Sequence, residues 1–284
     1  MTIPSTFAPD PSKLLVGDDF ATFDMETRAG AHRLWLPNYR GYQNPNRYNY
    51  GLGVEQQLYA EPSFPGVTNW VKVNGVYTNP YVKNPWGPKP LGLNPFRVHD
   101  GMLDITASRI PINPLTFNLP FMSGQINTRH SHSQQYGWVE WEVKFPPGAG
   151  LWPGLWMLPA DDSSPTEIDV FESIGDPKTI YETLHSKALI VAGHPNSYDS
   201  FPYKPAFNFS AGFHKYGCFW DPTGLGYYVD GALVHSHAAT PDLAKPMYFL
   251  TDLAVSGVGW CPPPNAHTVF PATMQLKSFT AWSL

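Results

Sequence analysis

The sequence of 284 residues holds only two cysteines, Cys218 and Cys261. So few, so far apart, exclude a disulfide framework and any CxxC metal knuckle. One bridge between them remains open; two buried thiols acting as small hydrophobes are the favoured reading. Charge is scarce as well, at 14% of residues, and the net charge is −5 with no Lys/Arg block. That excludes nucleic acid as a partner and disfavours a strongly anionic polymer. No apolar run reaches the about 18 residues of a membrane-crossing helix. The stretch Met1-Thr2-Ile3-Pro4-Ser5-Thr6 lacks a basic-then-apolar signal pattern. A trimmed signal, another export route and an intracellular protein all fit that absence. Helical periodicity, internal repeats and low-complexity linkers are missing too.

What the chain does have is aromatic residues at 15%, ten of them Trp, together with 31 Pro and 24 Gly. That mixture suits many strands joined by turn-rich loops, with aromatic platforms for a flat ligand. Alternation at period two recurs. In Tyr136–Phe145, Val139, Trp141, Val143 and Phe145 share one face and Glu140, Glu142 and Lys144 the other, as in a half-buried antiparallel strand. Met102–Arg109, Thr179–His185, Phe213–Trp220, Met247–Val255 and Thr273–Trp282 read alike. Asp230-Gly231 between Leu225–Val229 and Ala232–Val234 is a hairpin signal. The predicted fold is all-β: a jelly-roll sandwich of two antiparallel sheets with a concave cleft. Residues 1–16 read as an unpaired tail and 17–284 as a single domain. Within it, 61–95 reads as a long ordered insertion lining one end of a sheet, carrying Trp70, Tyr77, Tyr81 and Trp86.

Of 23 acidic residues, three fall inside Glu167-Ile168-Asp169-Val170-Phe171-Glu172. The interleaved apolar residues favour a strand, whereas Asp and Glu are depleted from strands. In an extended segment Glu167 and Asp169 share a face and Glu172 points away. A β-bulge between Asp169 and Glu172 would bring all three carboxyls to one surface. Like charges that close repel, so the fold gains nothing from them. Chemistry gains, because coupled carboxyls acquire different pKa values and can divide acid and base roles. A solvated, acidic edge strand is the bland alternative.

With these motifs in order, the chain resembles glycoside hydrolase family 16, the laminarinase, lichenase and agarase group. Glu167, Asp169 and Glu172 match its Glu-x-Asp-x-x-Glu signature. Glu55-Gln56-Gln57-Leu58-Tyr59, Asp100–Ile105, Ser123–Thr128, Tyr136–Glu140, Leu151–Leu158, Phe213–Tyr216 and Tyr228–Gly231 look like further landmarks. Ser131–Gly137 and Pro165-Thr166-Glu167 look closest to bacterial exopolysaccharide-processing endo-glycanases. The resemblance implies a retaining endo-glycosidase that cuts internal β-1,3 or β-1,4 linkages of a glucan, galactan or bacterial exopolysaccharide. In it Glu167 is the nucleophile, Glu172 the acid and then the base, and Asp169 tunes both. That chemistry requires the outer carboxyls about 5–5.5 Å apart. A transglycosylase would use the same residues; a non-catalytic lectin would be free to lose them.

For sugar contact the resemblance and the spacing point to Trp152, Trp156, His185, Asp252 and Trp260. Trp152 and Trp156 share a face of one extended strand, with burial in the sandwich core as the alternative. Asp252 in Asp252-Leu253-Ala254 stands where the family usually has Asn, and Gly53 replaces another family Asn. Lys277 falls where the family often places a calcium-ligating Asp on its convex face. An ammonium repels Ca²⁺, so no calcium is expected near Asp18 and Asp19, with Lys277 occupying that place. The His130/His132 and His235/His237 pairs show no third ligand nearby and read as exposed loop or strand histidines. No cofactor and no metal are therefore expected; the partner is a polysaccharide or oligosaccharide, the chain a monomer. Family resemblance implies an extracellular or periplasmic location.

Overall fold

The structure, a computed structural model, describes residues 3–28, 30–39, 54–68, 71–73, 76–78, 86–163, 165–257 and 259–284. Its strands are β1 (Leu14–Asp18), β2 (Gln57–Tyr59), β3 (Val71–Val73), β4 (Val76–Thr78), β5 (Phe96–His99), β6 (Met102–Arg109), β7 (Phe121–Ser123), β8 (Gln125–Asn127) and β9 (Gly137–Lys144). They continue with β10 (Leu151–Pro159), β11 (Glu167–Glu172), β12 (Ile180–His185), β13 (Tyr198–Tyr203), β14 (His214–Asp221), β15 (Gly224–Val229), β16 (Ala232–Ala238), β17 (Met247–Val255) and β18 (Ala272–Trp282). One short helix, α1 (Lys187–Val191), follows β12, its first turn capped by Ser186.

Two sheets face each other. The outer one runs β16-β15-β14-β9-β18-β6-β7-β2, with β1 beside β18 and β5 beside β6. The inner one runs β13-β12-β11-β10-β17-β8, all antiparallel. The expected period-two faces pack between them: Val139, Trp141, Val143 and Phe145 from β9 and Met274, Leu276 and Phe279 from β18 meet Leu155, Met157, Ile168, Val170, Phe171 and Phe249. Burying such side chains contributes about 1.5–3 kcal/mol each, so this layer is what holds the sheets together. At the β15–β16 turn Asp230 and Gly231 take φ of 49° and 79°, the two positive values a two-residue hairpin needs.

The expected unpaired tail is not unpaired. Leu14–Asp18 adds to the edge of the outer sheet along β18. Farther back, Thr6 bridges to Ala232, the Tyr228 hydroxyl donates to the Pro4 carbonyl at 2.6 Å, and Phe7 stacks on Trp138 with centroids 4.7 Å apart. Trp138, Phe219, Tyr228 and Trp282 are apolar side chains on the outer face of that sheet, and the N-terminal segment covers them. Both cysteines are free and buried.

The 61–95 segment contributes a small second core. Phe64 and Val67 pack with Leu58, Ala60, Phe117 and Leu119, and Trp86, Leu91 and Leu93 close over them. The Arg28 guanidinium lies 3.9 Å over the Trp86 ring, so Trp86 is a packing residue. Trp70, Tyr81 and Gly53 lie outside the described residues, as does the side chain of Tyr77. Lys277 pairs with Glu142 at 2.8 Å. The Asp18 carboxylate instead accepts from the Trp35 indole and the Phe20 backbone N–H, so Lys277 does not take the place the sequence reading gave it.

Candidate active site

The cleft is built by register. Between β11 and β12 the pairing runs Asp169 to Thr183 and then Glu172 to Tyr181, so one extra residue is accommodated on β11. That is the expected bulge. Its consequence is visible in burial: Val170 and Phe171, consecutive in sequence, both turn into the core, and Glu167, Asp169 and Glu172 are left on the concave face. Gly154 pairs with Glu172 on one side and Asp252 on the other, placing Glu172, Gly154 and Asp252 in one row across three strands. With strands about 4.8 Å apart, the two acids of that row stand about 10 Å apart over a residue with no side chain. A Cβ on Gly154 would sit 3.3 Å from the Asp252 carboxylate and 3.4 Å from the Trp156 ring. Trp152 and Trp156 flank Gly154 on the same face.

The cleft is lined by Glu55, Tyr59, Trp152, Trp156, Glu167, Asp169, Glu172, Asp252 and Ala254 around Gly154. Trp152 donates from its indole Nε1 to Glu172 Oε1 at 2.9 Å. Trp156 donates to Asp252 Oδ1 at 2.7 Å, and the Tyr59 hydroxyl to Asp252 Oδ2 at 2.8 Å. The ring of Trp156 is stacked on Tyr39 and 7% exposed, so it fixes Asp252 and closes the floor, leaving little face for a sugar. Trp152 keeps a partly open ring, with Trp260 edge-on at 5.6 Å. Trp260 is 46% exposed and also meets Tyr181 at 4.8 Å. It is a rim residue, not a core one. His185 brings Nε2 to 3.2 Å from Asp169 Oδ2.

Burial pushes the carboxyls up. Glu167 rises well above the usual carboxylate range, first through desolvation and then through the charge of Asp169, with His185 acting the other way. Asp169 rises to about 7, again by desolvation, while its hydrogen bond with Glu167 pulls it down. Glu172 is raised by desolvation and by Asp169; the Trp152 hydrogen bond lowers it. Asp252 reaches about 8 through desolvation and the charge of Glu55, against the bonds from Tyr59 and Trp156. Burial thus favours the neutral form of each acid in the cleft, while the neighbouring charges and hydrogen bonds weight the four differently. Acid–base division of labour has that requirement.

All eight residues singled out in the sequence lie in or at the rim of this one cleft. Glu55, Tyr59 and Tyr181 were assigned no role. Their signal was present, since Glu55, Gln57 and Tyr59 alternate along one extended segment. Among the described residues two groups could hold a metal ion: Glu167, Asp169 and His185, and Glu26, His32 and His130. The first shares its members with the acid cluster. In the second, the fold brings Glu26 and His32 beside His130, neighbours that the sequence spacing does not reveal. His132 bonds to Gln134, and His235 and His237 bond to each other at 3.2 Å beside Phe201 and Tyr227.

Acids on a bulged strand beneath indole rings, in the concave sheet of a jelly roll, define the class of carbohydrate-active β-sandwich proteins. The family model for glycosyl hydrolases family 16 matches residues 94–260, more than half of the sequence, and the chain belongs to that family. It is 35% identical over 205 residues to the endo-1,3-1,4-beta-glycanase EglC of Rhizobium meliloti (strain 1021), covering 71% of this chain and 42% of that protein. It is 36% identical over 183 residues to the endo-1,3-1,4-beta-glycanase ExsH of the same organism, covering 63% and 38%. The chain thus spans about two fifths of the length of these curated relatives. Among solved structures, the endo-beta-1,3-glucanase from Pyrococcus furiosus superposes with a TM-score of 0.70 at 24% identity, covering 99% of this chain and 98% of that one. At that identity the likeness is one of fold.

Proposed function

We propose that the chain is an endo-acting, retaining β-glycanase that cuts internal β-1,3 or β-1,4 linkages of a polysaccharide by double displacement. The observation that carries this is the β11 bulge, which puts three raised carboxyls on the floor of an open cleft beneath Trp152 and Trp260. In this reading Glu167 attacks the anomeric carbon as a carboxylate, and Glu172 protonates the departing glycosidic oxygen. A covalent glycosyl ester forms on Glu167. Glu172, now a carboxylate, takes a proton from water, whose oxygen attacks the same carbon and releases Glu167. Asp169, in hydrogen-bond contact with Glu167 and paired with His185, is the neighbour placed to take up the proton that Glu167 gives up as it ionises for attack. Trp152 keeps Glu172 aimed and offers a ring face to a sugar.

The endo-1,3-1,4-beta-glycanases and the endo-beta-1,3-glucanase named above support a β-1,3- or β-1,4-linked glycan as substrate; a bacterial exopolysaccharide met outside the cytoplasm is our own extension of that reading. Purified protein offered laminarin, lichenan, agarose and bacterial exopolysaccharides tests the reading. We expect new reducing ends within at least one polymer and, by NMR of early products, the β-anomer first. An α-anomer first would reject the retaining mechanism. No cleavage of any polymer would reject the glycanase assignment. Cleavage that yields new reducing ends only when oligosaccharide acceptors are absent would mark the nucleophile as passing its glycosyl unit to sugar as well as to water.

A further inference from the structure

Away from the cleft, the fold gathers three metal-ligating side chains from distant parts of the sequence. Glu26 follows Met25, whose backbone bridges to Trp35, and His32 lies in the loop between them. His130 lies three residues beyond the end of β8. His32 Nδ1 is 2.9 Å from Glu26 Oε2, and His130 Nδ1 is 3.1 Å from the same oxygen and 3.3 Å from Oε1. All three donor atoms lie within 4.8 Å of one another, and the two imidazole rings meet edge-on at 4.5 Å. A tetrahedral zinc ion with bonds of about 2.0–2.2 Å needs donor atoms about 3.3 Å apart. The two carboxylate distances reach that value with shifts of a few tenths of an ångström, and the two imidazole nitrogens, within 4.8 Å of each other, would close toward it on binding.

The donor set and its exposure point the same way. Two imidazole nitrogens and one carboxylate suit zinc and its transition-metal neighbours; calcium and magnesium call for an all-oxygen shell. Glu26 is buried, the His130 side chain is 25% exposed and that of His32 70%. The site would have an anchored carboxylate inside and an open coordination position toward solvent.

We propose that Glu26, His32 and His130 bind one Zn²⁺ or similar divalent transition ion, as a clasp separate from the carboxylate cleft. The clasp spans 104 residues of sequence between Glu26 and His130. It would fix the segment that follows His32, in which Leu36 bonds to Asn127 of β8 and Tyr39 stacks on Trp156. The ion would thus brace the element that covers one of the cleft indoles.

Chelator-stripped protein titrated with zinc chloride at neutral pH, by calorimetry and thermal unfolding in parallel, tests this. One ion should bind per chain and raise Tm in proportion to saturation. His32→Ala, at a position whose side chain is 70% exposed, should weaken binding at least about tenfold, as should His130→Ala. Glu167→Gln should leave stoichiometry and Tm shift unchanged, since it touches only the catalytic group of acids. The proposal falls if the intact protein shows no saturable binding, if both histidine variants bind as tightly as the parent, or if Glu167→Gln abolishes binding.

Discussion

The indole Nε1 of Trp152 donates to Glu172 Oε1 at 2.9 Å, and that bond opposes the burial and the neighbouring acids that raise the Glu172 pKa. It favours the carboxylate, whereas burial and the charge of Asp169 favour the acid. Trp152→Phe keeps a ring for a sugar and deletes the donor. Glu172 should then hold its proton to higher pH, and the alkaline limb of the kcat/KM profile should move upward. Trp152→Ala should in addition raise KM, because the platform is gone. A Trp152→Phe profile that overlays the parent's would show that Glu172 does not set that limb.

Glu167→Gln and Glu172→Gln swap a carboxyl for an amide of the same shape. Each should lower kcat by more than about a thousandfold on polysaccharide with Tm unchanged or raised, since crowding among neighbouring carboxyls is relieved. The two variants should differ with an activated aryl glycoside, whose leaving group needs no proton. Glu172→Gln should form the glycosyl-enzyme and be rescued by azide as a β-glycosyl azide. Glu167→Gln with azide should give the α-product, because azide then attacks in place of the missing nucleophile. The opposite pattern would exchange the two roles.

The fold and the acid cluster were legible because both are written in local alternation. Ile168, Val170 and Phe171 mark a strand against the propensity of the acids between them, and the odd spacing to Glu172 forces the bulge that β11 shows. What escaped depends on partners far away in sequence. Phe7 reads as tail until Trp138 and Phe219 present an apolar outer face for it to cover. Trp156 reads as a sugar platform until Tyr39 arrives from a separate segment to stack on it. His130 has no carboxylate beside it until Glu26 is folded against it. Glu55 and Tyr59 read as family landmarks, and only the folded position of that segment shows Tyr59 reaching Asp252 and both residues lining the cleft.

Asp252→Asn tests whether a buried acid here costs stability. The folded-state pKa of Asp252 is raised from 3.8 to about 8. Between those values the unfolded chain releases the proton and the folded one keeps it, so parent stability falls as pH rises through that window and levels off above it. An amide cannot ionise, and it keeps both partners: Trp156 still donates to its oxygen, and the Tyr59 hydroxyl turns to accept from its NH₂. Relative to parent, the variant should gain Tm progressively from about pH 4 to about pH 8. A Tm difference independent of pH would show that Asp252 does not titrate in that window.

Phe7→Ala measures how much the N-terminal segment contributes. The Phe7 ring stacks on Trp138 at 4.7 Å and leans on Phe219 at 5.3 Å, and it is only partly buried. Full burial of such a ring would make truncation cost 3–5 kcal/mol, so partial burial plus the stacking term gives about 2 kcal/mol. For a domain of this size that corresponds to a Tm loss of roughly 4–8 °C. The cleft lies on the other sheet, so kcat on any accepted polymer should be unchanged below the transition. An unaltered Tm would mean that the segment rests on the sheet without stabilising it; a lost kcat at full Tm would mean that the outer face communicates with the cleft through the core between β9 and β11.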